Sequence, residues 1–290
     1  MSYFRLEEPR IISKEDTARV CVEAIFPKEV GKKVILWYEL DSVYKDYLYK
    51  DRVDMFLVAI LPYCMEKGYD IQISCKTRVS ADLLYQLREM MIPALKNAEP
   101  FHEIRIEAVP TYEKLRQGEG IATGVSGGVD SFYTILKNID GLFPLTHLTL
   151  FNVQGYGEHG GDAARNNFQR NINQAKRICA ELNREYDISL KLVTVDSNIQ
   201  EMIPVSISYG GTYRDAGAIL LLKQLLKIYY FAADTTLETF RVQAAGRFFS
   251  PWVYYCISTE QYRIQLYGTD ADRIDKVKYL SKSPVTYDNL

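Results

Sequence analysis

From Gly120 onward the chain alternates short apolar runs with helix-length amphipathic ones, and this rhythm constrains the fold more than any other feature. Runs at 121–125, 145–153, 190–195, 238–245 and 262–267 read as strands. Stretches at 131–138, 162–185 and 212–233 read as helices. Strands separated by whole helices cannot form tight hairpins. They pair in parallel through right-handed crossovers. The expectation is an α/β domain over 120–290, a five-stranded parallel sheet with helices on both faces. Ligands of such sheets lie outside the carboxyl ends of the strands, so functional residues belong there.

The first 111 residues have a different texture. Segments 20–26 and 34–39 are β-rich and flank a turn signal at Pro27 to Gly31, which reads as a hairpin. Residues 52–67 repeat apolar side chains at helical spacing. A short strand is expected at 69–74, a second helix at 80–96 with Ser80 as its cap, and a strand at 104–109. This describes a smaller α+β domain over 1–111, joined by a polar linker over 112–119.

Length and composition allow this layout. At 290 residues the chain is long enough for two domains and a sizeable core. Its apolar fraction of 47% excludes a disordered chain. The net charge of -2 divides evenly between the halves, which argues against nucleic acid and against an anionic membrane surface. The five cysteines are scattered and never spaced as CxxC, so neither a disulfide framework nor a cysteine zinc site is expected. The N-terminus lacks an apolar leader, and the most apolar stretch, 217–233, is interrupted by Lys223 and Lys227. A reducing, cytoplasmic setting with no membrane partner follows as an expectation. A homo-oligomer is left open.

One stretch carries chemistry: Ala122-Thr-Gly-Val-Ser126-Gly127-Gly128-Val129-Asp130-Ser131. It follows a strand and opens a helix. Two glycines let the backbone turn tightly and aim its N–H groups at a ligand. The new helix adds unpaired N–H groups and the positive end of its dipole, while Ser126 and Ser131 add hydroxyls. Such a cradle suits a phosphate. A carboxylate beside phosphates, Asp130, makes sense if Mg²⁺ bridges the two.

The stretch resembles the Ser-Gly-Gly-x-Asp-Ser signature of the PP-loop ATP pyrophosphatases, a branch of the HUP-like α/β folds, at all five fixed positions. Within that superfamily the chain is most similar to the 7-cyano-7-deazaguanine synthases, although no cysteine follows Cys256 to match their four-cysteine zinc site. The resemblance implies an ATP site in which Ser126, Gly127, Gly128, Val129, Asp130 and Ser131 hold the pyrophosphate part. Asp130 would ligate Mg²⁺, and the adenine would lie against Phe151, Asn152 and Val153. It also implies adenylation of a carboxylate or carbonyl on a small-molecule or peptide substrate, with release of pyrophosphate. A nitrogen or sulfur nucleophile would then displace AMP. Arg214 and Arg247, each read as lying near a strand end, are candidate cations for the leaving pyrophosphate. A non-catalytic ATP- or AMP-binding accessory protein is the alternative, and a tRNA-modifying enzyme ranks below it because the chain lacks a basic stripe.

Other motifs overlap. Gly124 to Gly128 satisfies G-x-S-x-G, but a serine hydrolase of that kind needs a histidine far downstream, and none follows His159. Residues 155–160 match G-x-G-x-x-G, but Asp196 lies too far on to serve as the acidic partner of a dinucleotide site. Cys179 reads as a small core residue. Cys256 lies nearer the expected site and would suit a sulfur-transferring relative. The aromatic cluster Phe248, Phe249, Trp252, Tyr254 and Tyr255 reads as packing.

Overall fold

The computed structural model describes residues 2–154, 161–244, 246–259 and 261–290, with the side chains of 246–248 outside the description. The N-terminal half contributes strands β1 (Tyr3–Leu6), β2 (Arg10–Ser13), β3 (Thr17–Ile25), β4 (Lys33–Asp41), β5 (Asp70–Ile73), β6 (Val79–Ser80), β7 (Ile106–Glu107) and β8 (Pro110–Thr111). Its helices are α1 (Asp54–Lys67), α2 (Ala81–Gln86) and α3 (Ile92–Leu95). The C-terminal half runs β9 (Gly120–Gly124), α4 (Val129–Lys137), β10 (His147–Asn152), α5 (Gly161–Tyr186), β11 (Lys191–Ser197), α6 (Ile199–Met202) and α7 (Ile207–Leu221). It ends with β12 (Leu226–Ala232), α8 (Gly246–Ile257), β13 (Arg263–Tyr267) and α9 (Arg273–Leu280).

The sheet is mixed, and it does not stop at the expected linker. Its order is β13-β12-β9-β10-β11-β4-β3-β1-β5-β7, with β2 on the remaining length of β3. β9 to β13 pair with one another in parallel. β11 then pairs antiparallel with β4, with Val195 opposite Leu40 and Ser197 opposite Tyr38. The expected hairpin, β3 and β4, therefore covers an edge that a separate five-stranded sheet would leave bare. Side chains lock this junction. Trp37 N donates to Asn198 Oδ1 at 2.9 Å, Asn198 Nδ2 donates to Ile35 O at 2.8 Å, and Ser197 Oγ donates to Trp37 O at 2.6 Å. The segment 112–119 is itself pinned, with Leu115 O accepting from Gln261 Nε2 at 3.1 Å.

Successive residues of a strand point to opposite faces, and the core divides accordingly. Ile121, Leu148, Leu150, Ile228 and Tyr230 pack with α4, α5 and α9 on one face. Ala122, Val193, Val195 and Tyr229 pack on the other, with α1, α7 and α8. Helices thus cover both faces of the C-terminal half.

Two expectations at the element level fail. The helix expected at 212–233 ends at Leu221, and Leu226–Ala232 is strand β12, set between β9 and β13. The strand expected at 238–245 is absent among the described residues, where Leu237–Thr239 forms a short 3-10 turn. The physical reason is shared. A continuous apolar run does not reveal its own periodicity, and the aromatic, β-branched Leu-Lys-Ile-Tyr-Tyr-Phe-Ala segment pairs with β9 once the sheet is there to receive it. Ser80 also fails as a cap: its side chain makes no capping bond, and its N–H donates to Asp54 Oδ1 at 3.0 Å. The helix expected at 80–96 is present as one continuous helical run over 81–95, with a wider π-type turn inside it at Leu87–Met91.

Candidate functional site

The serine-glycine turn closes on itself before it offers anything to a ligand. Ser131 Oγ donates to Gly124 O at 2.6 Å and accepts from Ser126 N at 3.1 Å, which ties the first turn of α4 to the end of β9. Gly128 N donates to Ser126 Oγ at 3.3 Å. Gly127 sits at φ 75°, where an L side chain is strained, and a Cβ there would also come within 2.9 Å of Gln174 Nε2. The first N–H groups of α4 have no carbonyl one turn back to bond.

The turn opens onto a cavity of about 830 Å³ at the carboxyl ends of the parallel strands. Gly124, Val125, Ser126, Asp130 and Ser131 line it from the turn, and Thr149, Leu150, Phe151 and Gln154 line it from β10 and beyond. Ile207, Ser208, Gly211, Thr212 and Asp215 contribute from α7, and Tyr229, Phe231, Ala232 and Asp234 from the end of β12. A volume of that size suits a drug- or nucleotide-sized ligand. Phe151 and Tyr229 present near-parallel rings with centroids 6.1 Å apart, and the Tyr229 hydroxyl is 2.8 Å from Thr149 Oγ1.

Asp130 does not stand alone. Lys276 Nζ, buried on α9, donates to Asp130 Oδ1 at 2.8 Å and to Ala233 O at 2.6 Å. Arg273, one turn earlier and exposed, brings Nη1 to 3.8 Å from Asp130 Oδ2. The expected metal ligand is therefore already paired with an ammonium. Among the described residues no group of three or more His, Cys, Asp or Glu side chains could hold a metal ion. Asp130 is the single carboxylate of the 126–131 turn, and one carboxylate binds Mg²⁺ together with substrate phosphates rather than as a protein cage.

The other expected residues divide. Ser126, Asp130, Ser131 and Phe151 line the cavity, and Gly127, Gly128 and Val129 shape the turn beside it. Asn152 and Val153 are buried away from it. Asn152 Nδ2 donates to Asp196 Oδ1 at 2.7 Å, and Val153 joins the core. Arg214 is no phosphate ligand in this arrangement. It lies inside α7, buried, with Nη2 donating to Val205 O at 2.6 Å and Ile203 O at 3.4 Å. Those carbonyls sit where the chain turns into α7, so the guanidinium serves the helix entry. Arg247 opens α8 rather than following a strand, and its side chain lies outside the described residues. The 155–160 loop, with His159, lies outside them as well.

The competing chemistries find little support. His147 is buried in β10, its Nδ1 is 2.7 Å from Thr146 Oγ1, and it does not line the cavity. Cys179 and Cys256 are buried free thiols, and burial pushes Cys256 up to about 12. No helix among the described residues is long and apolar enough to cross a membrane.

Three features escaped the sequence reading: Lys276, Asp215 and the β12 side of the cavity. Lys276 reaches Asp130 across 146 positions, so no local pattern announces it. Asp215 is adjacent to Arg214, and only the helix phase shows which of the two faces the ligand space. Burial pushes the Asp215 carboxyl up to about 7, against the opposing influence of the Gln154 hydrogen bond and of Arg214. No protein-family model, curated protein or solved structure matches the chain.

Proposed function

We propose that this chain binds ATP at the 126–131 turn and adenylates a carboxylate or carbonyl substrate, releasing pyrophosphate, before a nucleophile displaces AMP. The observation that carries the reading is the conjunction at Asp130: a Ser-Gly-Gly-x-Asp-Ser turn opening on an 830 Å³ cavity, with two cations from α9 beside its carboxylate. The parallel pairing of β9 to β13 is what that signature's family would carry around such a turn.

Each group then has a task. The N–H groups of the turn and of the first helical turn cradle phosphate oxygens. Lys276 and Arg273, rather than Arg214, offset the charge that builds on the departing pyrophosphate. Phe151 and Tyr229 offer apolar faces to a flat base. Mg²⁺ enters with the nucleotide as MgATP, as part of the substrate. The remaining cavity takes a small molecule or a peptide end, and the even charge distribution favours these over tRNA. Five free cysteines suit a reducing, cytoplasmic setting.

The test is pyrophosphate and AMP release from MgATP by purified protein supplied with a metabolite extract. The reading expects release that Asp130→Asn abolishes and Lys276→Met lowers at least tenfold. Release of ADP and phosphate instead would overturn it. Tight ATP binding with no turnover on any extract would favour the accessory-protein alternative.

A further inference from the structure

The cavity has a wall that the nucleotide leaves without a task. α7 packs on the face of the sheet opposite α4, so Asp215 enters the ligand space from the side away from the helix that follows the phosphate turn. Gln154 Nε2 donates to its carboxylate. Gly211 makes this contact feasible, since a Cβ there would overlap Gln154 Oε1. The groups coupled electrostatically to Asp215 include Arg214 on its own helix, Tyr38 on β4, Tyr229 on β12 and Tyr254 on α8, and the carboxylates Asp130 and Asp234 line the same cavity. Arg214 is committed to the Ile203 and Val205 carbonyls. The Tyr254 hydroxyl is fully buried with no hydrogen-bond partner. Asp215 therefore has a hydrogen-bonded amide to orient it and, among the described residues, no cation bonded to it. A carboxylate in that state seeks an N–H donor.

We infer that Asp215 and Gln154 form the subsite of a nitrogen nucleophile, ammonia or a primary amine, and that Asp215 accepts the proton this nitrogen sheds on attack. The inference deepens the adenylation reading and rests on it for the chemistry. The amine nitrogen bonds to the activated carbonyl carbon, and the bond from that carbon to the AMP oxygen breaks, AMP leaving with the electron pair. The proton lost by nitrogen passes to the Asp215 carboxylate and then to solvent. A sulfur nucleophile fits less well. Its reactive form is an anion that a carboxylate repels, and no cysteine is among the described residues lining the cavity. A carboxyl that titrates near neutrality is matched to this transfer.

The test uses the full chain with ¹³C-labelled aspartate, the Asp215 carboxyl resonance being the one missing from Asp215→Asn. Its titration is followed with methylammonium chloride, and with tetramethylammonium chloride as a cation that has no N–H. The expected result is a midpoint lowered by about one pH unit or more by methylammonium alone. In parallel, binding of α,β-methylene-ATP is measured by calorimetry on wild type and on Asp215→Asn, and should agree within about threefold. If the analogue binds and the Asp215 midpoint ignores methylammonium, the amine subsite falls and the nucleotide reading stands. If the midpoint moves but the analogue binds neither protein, the subsite stands and the nucleotide reading falls. A tenfold loss of analogue affinity in Asp215→Asn would assign the carboxylate to the nucleotide and overturn the inference.

Discussion

His147 shows how a residue's place decides its chemistry. Its ring is buried at the start of β10, and burial, reinforced by the Lys191 charge, pushes its pKa down to about 4. The folded chain keeps the ring neutral where an unfolded chain would protonate it, near pH 6.5. Below that pH the unfolded state holds the extra proton, so stability falls as pH drops from about 6.5 to about 4. The loss should approach about 3 kcal/mol, and His147→Gln should remove that part of the slope. Urea midpoints at about pH 7 and pH 4.5 for both proteins check this. Lys276 is the matching case on the functional side. The Ser-Gly-Gly-x-Asp-Ser string is legible as a tight strand-to-helix turn because five neighbouring positions suffice to shape it. The ammonium that occupies its aspartate comes from α9, and only the folded chain shows the pair.

At the scale of elements, α1 and α7 approach closely at Gly217. A Cβ there would lie 2.4 Å from the Tyr38 hydroxyl and 2.6 Å from the Met55 carbonyl oxygen, and the latter is backbone that cannot swing aside. Gly217→Ala should therefore destabilise the protein by about 2 kcal/mol despite alanine's better helix propensity. Chemical denaturation reads this directly. The long amphipathic α5 was legible to within a residue at each end, expected at 162–185 and observed as Gly161–Tyr186, because one polar face advertises a helical period. The boundary between α7 and β12 was not, because buried on every side they show no period at all. That misreading also displaced the expected fourth strand and carried Arg247 with it to a false strand end.

At the scale of the whole molecule, the two halves share one sheet, and Lys223 makes an ion pair across them. Its Nζ lies 3.0 Å from Asp54 Oδ2, with both side chains buried, and the other oxygen of Asp54 accepts from Ser80 N. Lys223→Met would leave a buried carboxylate without its counterion and should destabilise by about 3–5 kcal/mol. Wild type and variant should each unfold in a single thermal transition, since the β4–β11 pairing and the core cluster run through both halves. Two separate calorimetric transitions would contradict this. In the sequence, Lys223 reads only as an interruption of an apolar stretch. By itself the sequence determined what is local: the glycine turn between β9 and α4, the strand–helix alternation around it, and the β3–β4 hairpin. Tertiary structure alone decided the mixed sheet, the partner of Asp130, the burial of Arg214 and the exposure of Asp215 to the cavity. Those depend on which strands pair and which helix face turns inward, and such contacts join residues that no window of sequence contains.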